Sequence, residues 1–181
     1  MKLRRALAGF LTGRIPGLNA LARRPEGKSV RYPLATFTGL DLSTAVLGCG
    51  ETDRRVCDEA GLVKKKIRLF DKETTLRIDL WVPADEEKSA EEWIEELAQA
   101  VEAAFEAWRF DRNRPPIIDP ATGDDMRVTA IRHVSTVDLP MDTSGEPFLA
   151  RKSLTYTITL RRSYERDVEH NMENVHFRYG A

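Results

Sequence analysis

The chain reads as an α+β protein: a mostly antiparallel β-sheet with one long helix packed on a face and a short N-terminal helix. Three stretches predict this. Leu76, Ile78, Leu80 and Val82 recur at every second residue, with Thr75, Arg77 and Asp79 between them, the period of a strand with one buried face. Ser89 precedes Glu92 in a capping-box arrangement, and Ile94, Leu97, Val101, Ala104, Phe105 and Trp108 follow at helical spacing. Leu154, Tyr156, Ile158 and Leu160 alternate with Thr155, Thr157, Thr159 and Arg161, a second half-buried strand.

Along the chain, Leu3, Ala6, Leu7, Phe10 and Leu11 trace one face of a short amphipathic helix, which Gly13, Pro16 and Gly17 end. That helix docks on its own domain or on a neighbour. Arg23 to Gly27 is a polar, turn-rich link. Leu34 to Leu47 is rich in Leu, Thr, Phe and Val and predicts a strand interrupted or bulged near Gly39. Gly48 to Gly61 reads as a polar loop. Val63 to Phe70 and Thr74 to Val82, separated by Asp71-Lys72-Glu73, predict an antiparallel hairpin. After the central helix, Pro115, Pro116, Pro120 and Gly123 make 111–125 a long extended loop. Arg127 to Leu139 returns to strand composition, and Pro140 to Pro147 is a connector long enough to protrude. The polar residues 165–181 form a C-terminal arm or last strand. Strands gathered around one helix indicate a layered α+β domain spanning 1–181, and the lack of regular helix–strand alternation disfavours a doubly wound nucleotide fold.

Composition narrows the function. With 181 residues, 41% hydrophobic and 31% charged, a single core is feasible and wholesale disorder is not expected. Lys and Arg number 28 against 29 Asp and Glu, for a net charge of −1, a balance that argues against a dedicated nucleic-acid binder. Cys49 and Cys57 are a poor match to paired zinc-ligand spacing and read as free thiols ahead of a disulfide. No apolar run is long enough to span a bilayer. Met1 to Leu11 only faintly resembles a secretion signal, so the expectation is an intracellular protein that keeps its N-terminus.

No complete catalytic motif stands out. Gly48-Cys49-Gly50 lacks the third glycine, the lysine and the helix of a phosphate cradle. His133, His170 and His176 sit in no helix-borne metal motif, and nothing local activates Cys57 as a nucleophile. Asp119, Asp124 and Asp125 are the best carboxylate cluster. They fit a divalent cation in a metal-dependent enzyme acting on phosphates, or simply a turn in which aspartates bond nearby amides. Catalytic, cofactor and metal assignments are therefore none.

Charge patterning says more. Glu91, Glu92, Glu95, Glu96, Glu102 and Glu106 make the central helix acidic, while Lys64, Lys65, Lys66, Arg68, Arg161 and Arg162 decorate strands. These are either solvated faces or the two sides of a subunit that docks head to tail, a contact that closes into a ring when the rotation allows. The lysine run also admits a small nucleic-acid-binding adaptor.

Element order and local signatures resemble the tail terminator and tail completion proteins of long-tailed bacteriophages. The likeness is carried by the helix Lys2 to Leu11 leading to Ile15-Pro16-Gly17-Leu18, by Tyr32-Pro33-Leu34-Ala35-Thr36-Phe37 at the first strand, by Thr75 to Val82 feeding the helix Ala90 to Trp108, and by the late strand Lys152 to Arg161. It covers most of the chain as a pattern, without an invariant chemical motif. The segments 111–125 and 165–181 depart from it, which leaves the position in the tail open. The resemblance implies a virion protein, made in the host cytoplasm and placed at the head-proximal end of the tail. It would form a homo-oligomeric ring, commonly hexameric, that caps the tail tube, ends polymerisation and presents the head-joining surface. Its partners would be the tail tube protein and a head-side connector or neck protein. DNA would pass through the lumen without specific binding, and no membrane or cofactor is implied. The interface residues would include Lys64, Lys65, Lys66, Arg68, Glu91, Glu95, Glu102, Arg161 and Arg162.

Overall fold

The computed structural model describes residues 2–24, 30–40, 46–61, 63–83, 89–143 and 147–167. In chain order these give α1 (Lys2–Arg14), β1 (Asn19–Leu21), β2 (Leu34–Leu40), β3 (Val46–Cys57), β4 (Val63–Pro83), α2 (Ala90–Phe110), β5 (Val128–Asp142) and β6 (Leu149–Asp167). The architecture is α+β, with the strand order β1-β2-β4-β6-β5 and β3 also paired to β4. Every pairing is antiparallel except β1 with β2.

The spine is the β4–β6 ladder, which runs from Lys65 opposite Asp167 to Pro83 opposite Leu149 without a register shift. Along the other edge of β4, β2 covers Thr75 to Trp81 and β3 covers Val63 to Lys72. This corrects two expectations. Asp71-Lys72-Glu73 is not a hairpin turn but the middle of one continuous strand, because its charges find lateral partners: Arg161 bonds Asp71 at 2.9 and 3.0 Å, and Thr159 donates to Glu73 at 3.4 Å. The segment 48–61 is not a loop for most of its length. Val46–Cys57 is strand, and the reversal is confined to the short segment after it. There Asp58 accepts the Ala60 amide on its side chain and the Gly61 amide on its carbonyl, both at 3.0 Å. Gly61 takes a φ of +79°, which glycine adopts without steric cost.

Of the two alternatives near Gly39, the bulge does not occur, while the stretch 34–47 is divided between β2, which ends at Leu40, and β3, which begins at Val46. β2 keeps its register through Gly39 opposite Leu76, and the missing side chain makes room for Arg4 of α1, whose guanidinium would lie 2.3 Å from a Cβ at that position. β1, which the sequence reading passed over, is a short parallel strand against the start of β2. The expected connector at 140–147 narrows, since β5 runs to Asp142 and β6 begins at Leu149. The proposed arm begins as strand, with β6 reaching Asp167; its remainder, 168–181, with His170 and His176, lies outside the described residues.

Even-numbered β4 residues from Leu76 to Val82, together with Ala35, Phe37, Leu154, Tyr156, Ile158 and Leu160, bury one sheet face against both helices. α2 contributes Ile94, Leu97, Ala98, Val101, Phe105 and Trp108 at the predicted spacing. Its start is capped by Ser89, whose hydroxyl accepts the Glu92 amide at 3.2 Å. α1 buries Ala6, Leu7, Ala8 and Leu11, and its Phe10 stacks on Phe105 at 5.8 Å. The N-terminal helix thus docks on its own sheet and on α2.

The opposite sheet face is polar. Thr36, Asp79 and Ser153 share it, with Ser153 donating to Asp79 at 3.0 Å. At one end a smaller cluster of Leu34, Trp81 and Leu149 is roofed by Arg24 and Arg151, at 4.2 and 4.1 Å from the Trp81 ring.

Among the described side chains of β4, burial begins at Leu76. Val63, Ile67, Leu69 and Phe70 are half-buried. Among the described residues β3 contacts only β4, whereas α2 contacts β4, β5 and β6. The β3–β4–β6 end of the sheet therefore extends past the helical layer. Residues 63–72 of β4 span on the order of 30 Å at about 3.4 Å per residue.

This partition predicts unequal costs of truncation. Leu154→Ala, at a position with 0% exposure, should cost about 2–5 kcal/mol in urea unfolding, whereas Val137→Ala on exposed β5 should stay within about 0.5 kcal/mol.

Candidate functional site

Three groups of charged residues could do work. The first contains the aspartates weighed as a cation site. Asp119 is fully buried, yet its carboxylate receives Arg5 through Nε at 3.1 Å and Nη2 at 2.6 Å, and the Ala121 amide at 3.1 Å. Its backbone is also tied in, donating to the Asp124 carbonyl at 2.9 Å and accepting Gly123 at 2.8 Å. Asp124 binds Lys2 at 2.7 Å and Thr122 at 2.8 Å, and Asp125 accepts the Arg127 amide at 2.8 Å. The arrangement is a clasp: two cations of α1 hold the 117–126 loop, with Pro120 lying beside Gly9 of the same helix. The turn reading accounts for all three aspartates, and no group of His, Cys, Asp or Glu among the described residues is arranged to hold a metal ion.

Arg5 holds the Asp119 carboxyl below its ordinary value, first through the side-chain bonds, against the opposing effect of burial. Lys2 and Thr122 lower Asp124 in the same direction.

The second group is one that the sequence reading passed over. Lys152 is only 7% exposed and lies on the helix-facing side of β6. It bonds Glu95 of α2 and, at 3.1 Å, Asp138 of β5. Burial works against its charge, but bonds to the two carboxylates outweigh it and leave the pKa above the ordinary lysine value. The signal was available: Lys152 falls in phase with Leu154, Tyr156, Ile158 and Leu160, so a lysine at that position must enter the core side and find partners. A cleft of about 390 Å³ opens beside it, walled by Ile94, Leu139, Met141 and Ala150, with Glu91 at its edge.

The third group comprises the interface candidates. Lys64, Lys65, Lys66 and Arg68 all lie on the part of β4 beyond the helices, the last three opposite the final residues of β6. Lys64 and Lys65 are exposed, Lys64 lying 4.0 Å from Asp58. The side chains of Lys66 and Arg68 lie outside what is described. Arg162 is exposed on the same ladder, while Arg161 is taken up by Asp71. On α2, Glu91, Glu92 and Glu106 are exposed. Glu95 is engaged by Lys152, and Glu102 accepts Thr136 at 3.3 Å and lies 3.6 Å from His133. The structure thus separates a basic strand end from an acidic helix, and withdraws Arg161, Glu95 and Glu102 into contacts within the chain. Cys57 is a free, exposed thiol, and the Cys49 side chain lies outside the described residues.

Neither a protein-family model nor a curated protein matches this sequence. No helix among the described residues is long and apolar enough to cross a membrane.

The clasp yields a pH prediction. A carboxyl whose folded pKa lies below its unfolded value of about 4 adds stability above that value and loses it as pH falls through the folded one. Stability should therefore fall on acidification below about pH 4, and Asp119→Asn should flatten that slope. Arg5→Ala, which strands a buried carboxylate, should lower Tm more than Lys2→Ala; calorimetry across pH reads both effects.

Proposed function

We propose that this chain is a structural subunit of a virion tail that assembles into a homo-oligomeric ring, as the resemblance to tail terminator and tail completion proteins implies. The observation that carries the reading is the uncovered end of the β3–β4–β6 sheet. It projects a basic strand segment with half-buried Val63, Ile67, Leu69 and Phe70 past the helical layer, while α2 keeps Glu91, Glu92 and Glu106 toward solvent. Apolar residues left half-covered on a charged projection suit a protein contact better than free solvation. A projection on one side and an acidic helix on the other make a head-to-tail pair, the heterologous contact that generates rings.

In this reading the ring caps the tail tube at its head-proximal end, stops tube growth and offers the surface to which a head-side connector or neck protein binds. DNA passes through the opening without specific contacts, aided by repulsion between carboxylates and phosphates. Interfaces do the work, so no catalytic role is assigned to any residue. Of the aspartates considered for phosphate chemistry, Asp119 and Asp124 are taken up in the clasp between α1 and its loop, and Asp125 accepts the Arg127 amide.

Sedimentation of the purified chain tests this. The expected result is a concentration-dependent ring that weakens as salt is added, since exposed charges screen within about 10 Å at 0.1 M salt. Lys64→Glu/Lys65→Glu should shift the equilibrium toward monomer with an unchanged circular dichroism spectrum. A chain that stays monomeric at high concentration and fails to bind tail tubes would overturn the reading. Affinity for DNA that falls steeply with salt would favour the adaptor role instead.

A further inference from the structure

A second, smaller cleft of about 100 Å³ lies between the C-terminal half of α2 and the β5–β6 pair, lined by Glu102, Phe105, Glu106, Arg109, Ile131, His133 and Tyr156. Tyr156 is 2% exposed, and its buried hydroxyl has no hydrogen-bond partner among the described residues. A polar atom in that position costs stability unless something binds it. The ring is held on two sides, edge-on to Phe105 at 4.9 Å and to His133 at 5.3 Å, so the hydroxyl has little freedom to seek a partner elsewhere.

We infer that this cleft is a binding site for a small organic cation, a guanidinium or alkylammonium group. The chemistry of the walls selects that class. Glu102 and Glu106 line the cleft with Tyr156, and burial first, then these two carboxylates, raise the pKa of its hydroxyl. An anion would face both glutamates, whereas a cationic N–H donor satisfies the Tyr156 oxygen and a carboxylate at once. Arg109, the one guanidinium at the rim, lies over the Phe110 ring at 5.5 Å. The aromatic walls of Phe105 and Tyr156 favour an organic cation. The volume equals that of about three waters at about 30 Å³ each, which one guanidinium head would replace. This site is independent of the ring reading.

The test is a titration with methylguanidinium chloride followed by two-dimensional NMR, with sodium chloride at matched ionic strength as the control. The expected result is saturable shifts at residues 102–109, His133 and Tyr156. Tyr156→Phe should weaken binding about five-fold or more through loss of one hydrogen bond, while its Tm equals or exceeds that of the parent, because an unsatisfied hydroxyl has been removed. Glu106→Gln should also weaken binding. Shifts no different from the sodium chloride control, or undiminished binding by Tyr156→Phe, overturn the inference. Once binding is saturable, sedimentation with the probe separates the sources: dissociation of an assembled species assigns the cation to a basic side chain of a second copy, and an assembled species that persists with the probe bound assigns it to a free small molecule.

Discussion

The pairing of β4 with β6 is the interaction on which the rest of the structure depends. A 21-residue strand bonded along nearly its whole length to one partner establishes two faces and two ends at once. One face collects Leu76, Ile78, Leu80 and Val82 with Leu154, Tyr156 and Ile158 beneath the helices. The other takes Asp79, Ser153 and the threonines. Because side chains alternate, slipping the pairing by one residue would bring Arg77 and Asp79 under α2 and turn Ile78 to the polar face. The register is therefore set by burial along the half of the ladder that the helices cover, and the uncovered half inherits it.

That inheritance explains why charged residues appear where a core strand would not tolerate them. The ladder beyond Leu76 toward Val63 carries lateral ion pairs such as Arg161 with Asp71, which hold direction without needing a layer above. Each exposed pair contributes little alone, so this end relies on backbone bonds to both neighbours. The helices are anchored separately. α2 is capped by Ser89 and fastened near its start by Glu95 on Lys152, while α1 is clasped to the 117–126 loop by Arg5 and Lys2. The same arrangement recurs at three buried charges among the described residues: Asp79, Asp119 and Lys152 each lie against an opposite charge, from Arg77, Arg5 and Glu95 in turn.

Much of this was legible in the residues. The α+β class, the long helix with its cap, the late strand and the irregular 111–125 segment follow from periodicity, capping and proline placement, all of which act locally. Asp71-Lys72-Glu73 misled because three charges in a row look like a turn, and only a partner strand distant in sequence could reveal that Arg161 and Thr159 meet them. The true reversal at Asp58 to Gly61 had the better turn chemistry but lay inside a run too polar to suggest a strand at Val46–Cys57. For the candidate site, the acidic helix and basic strand were visible as composition, yet which charges remain free could not be. Arg161, Glu95 and Glu102 are taken up by residues far away in the chain. The Tyr156 cleft left no trace in sequence, since a tyrosine in core phase looks like ordinary packing.

Amide hydrogen exchange at Asp71 and Lys72 tests most directly the claim that one unbroken strand organises the molecule. Lys72 and Asp71 pair with Val46 and Leu47 on one side and with Leu160 and Arg161 on the other, so these amides should exchange slowly, alongside those of Leu76 to Leu80. Exchange at the rate of a solvent-exposed turn would contradict a continuous β4 and remove the projecting sheet end with it.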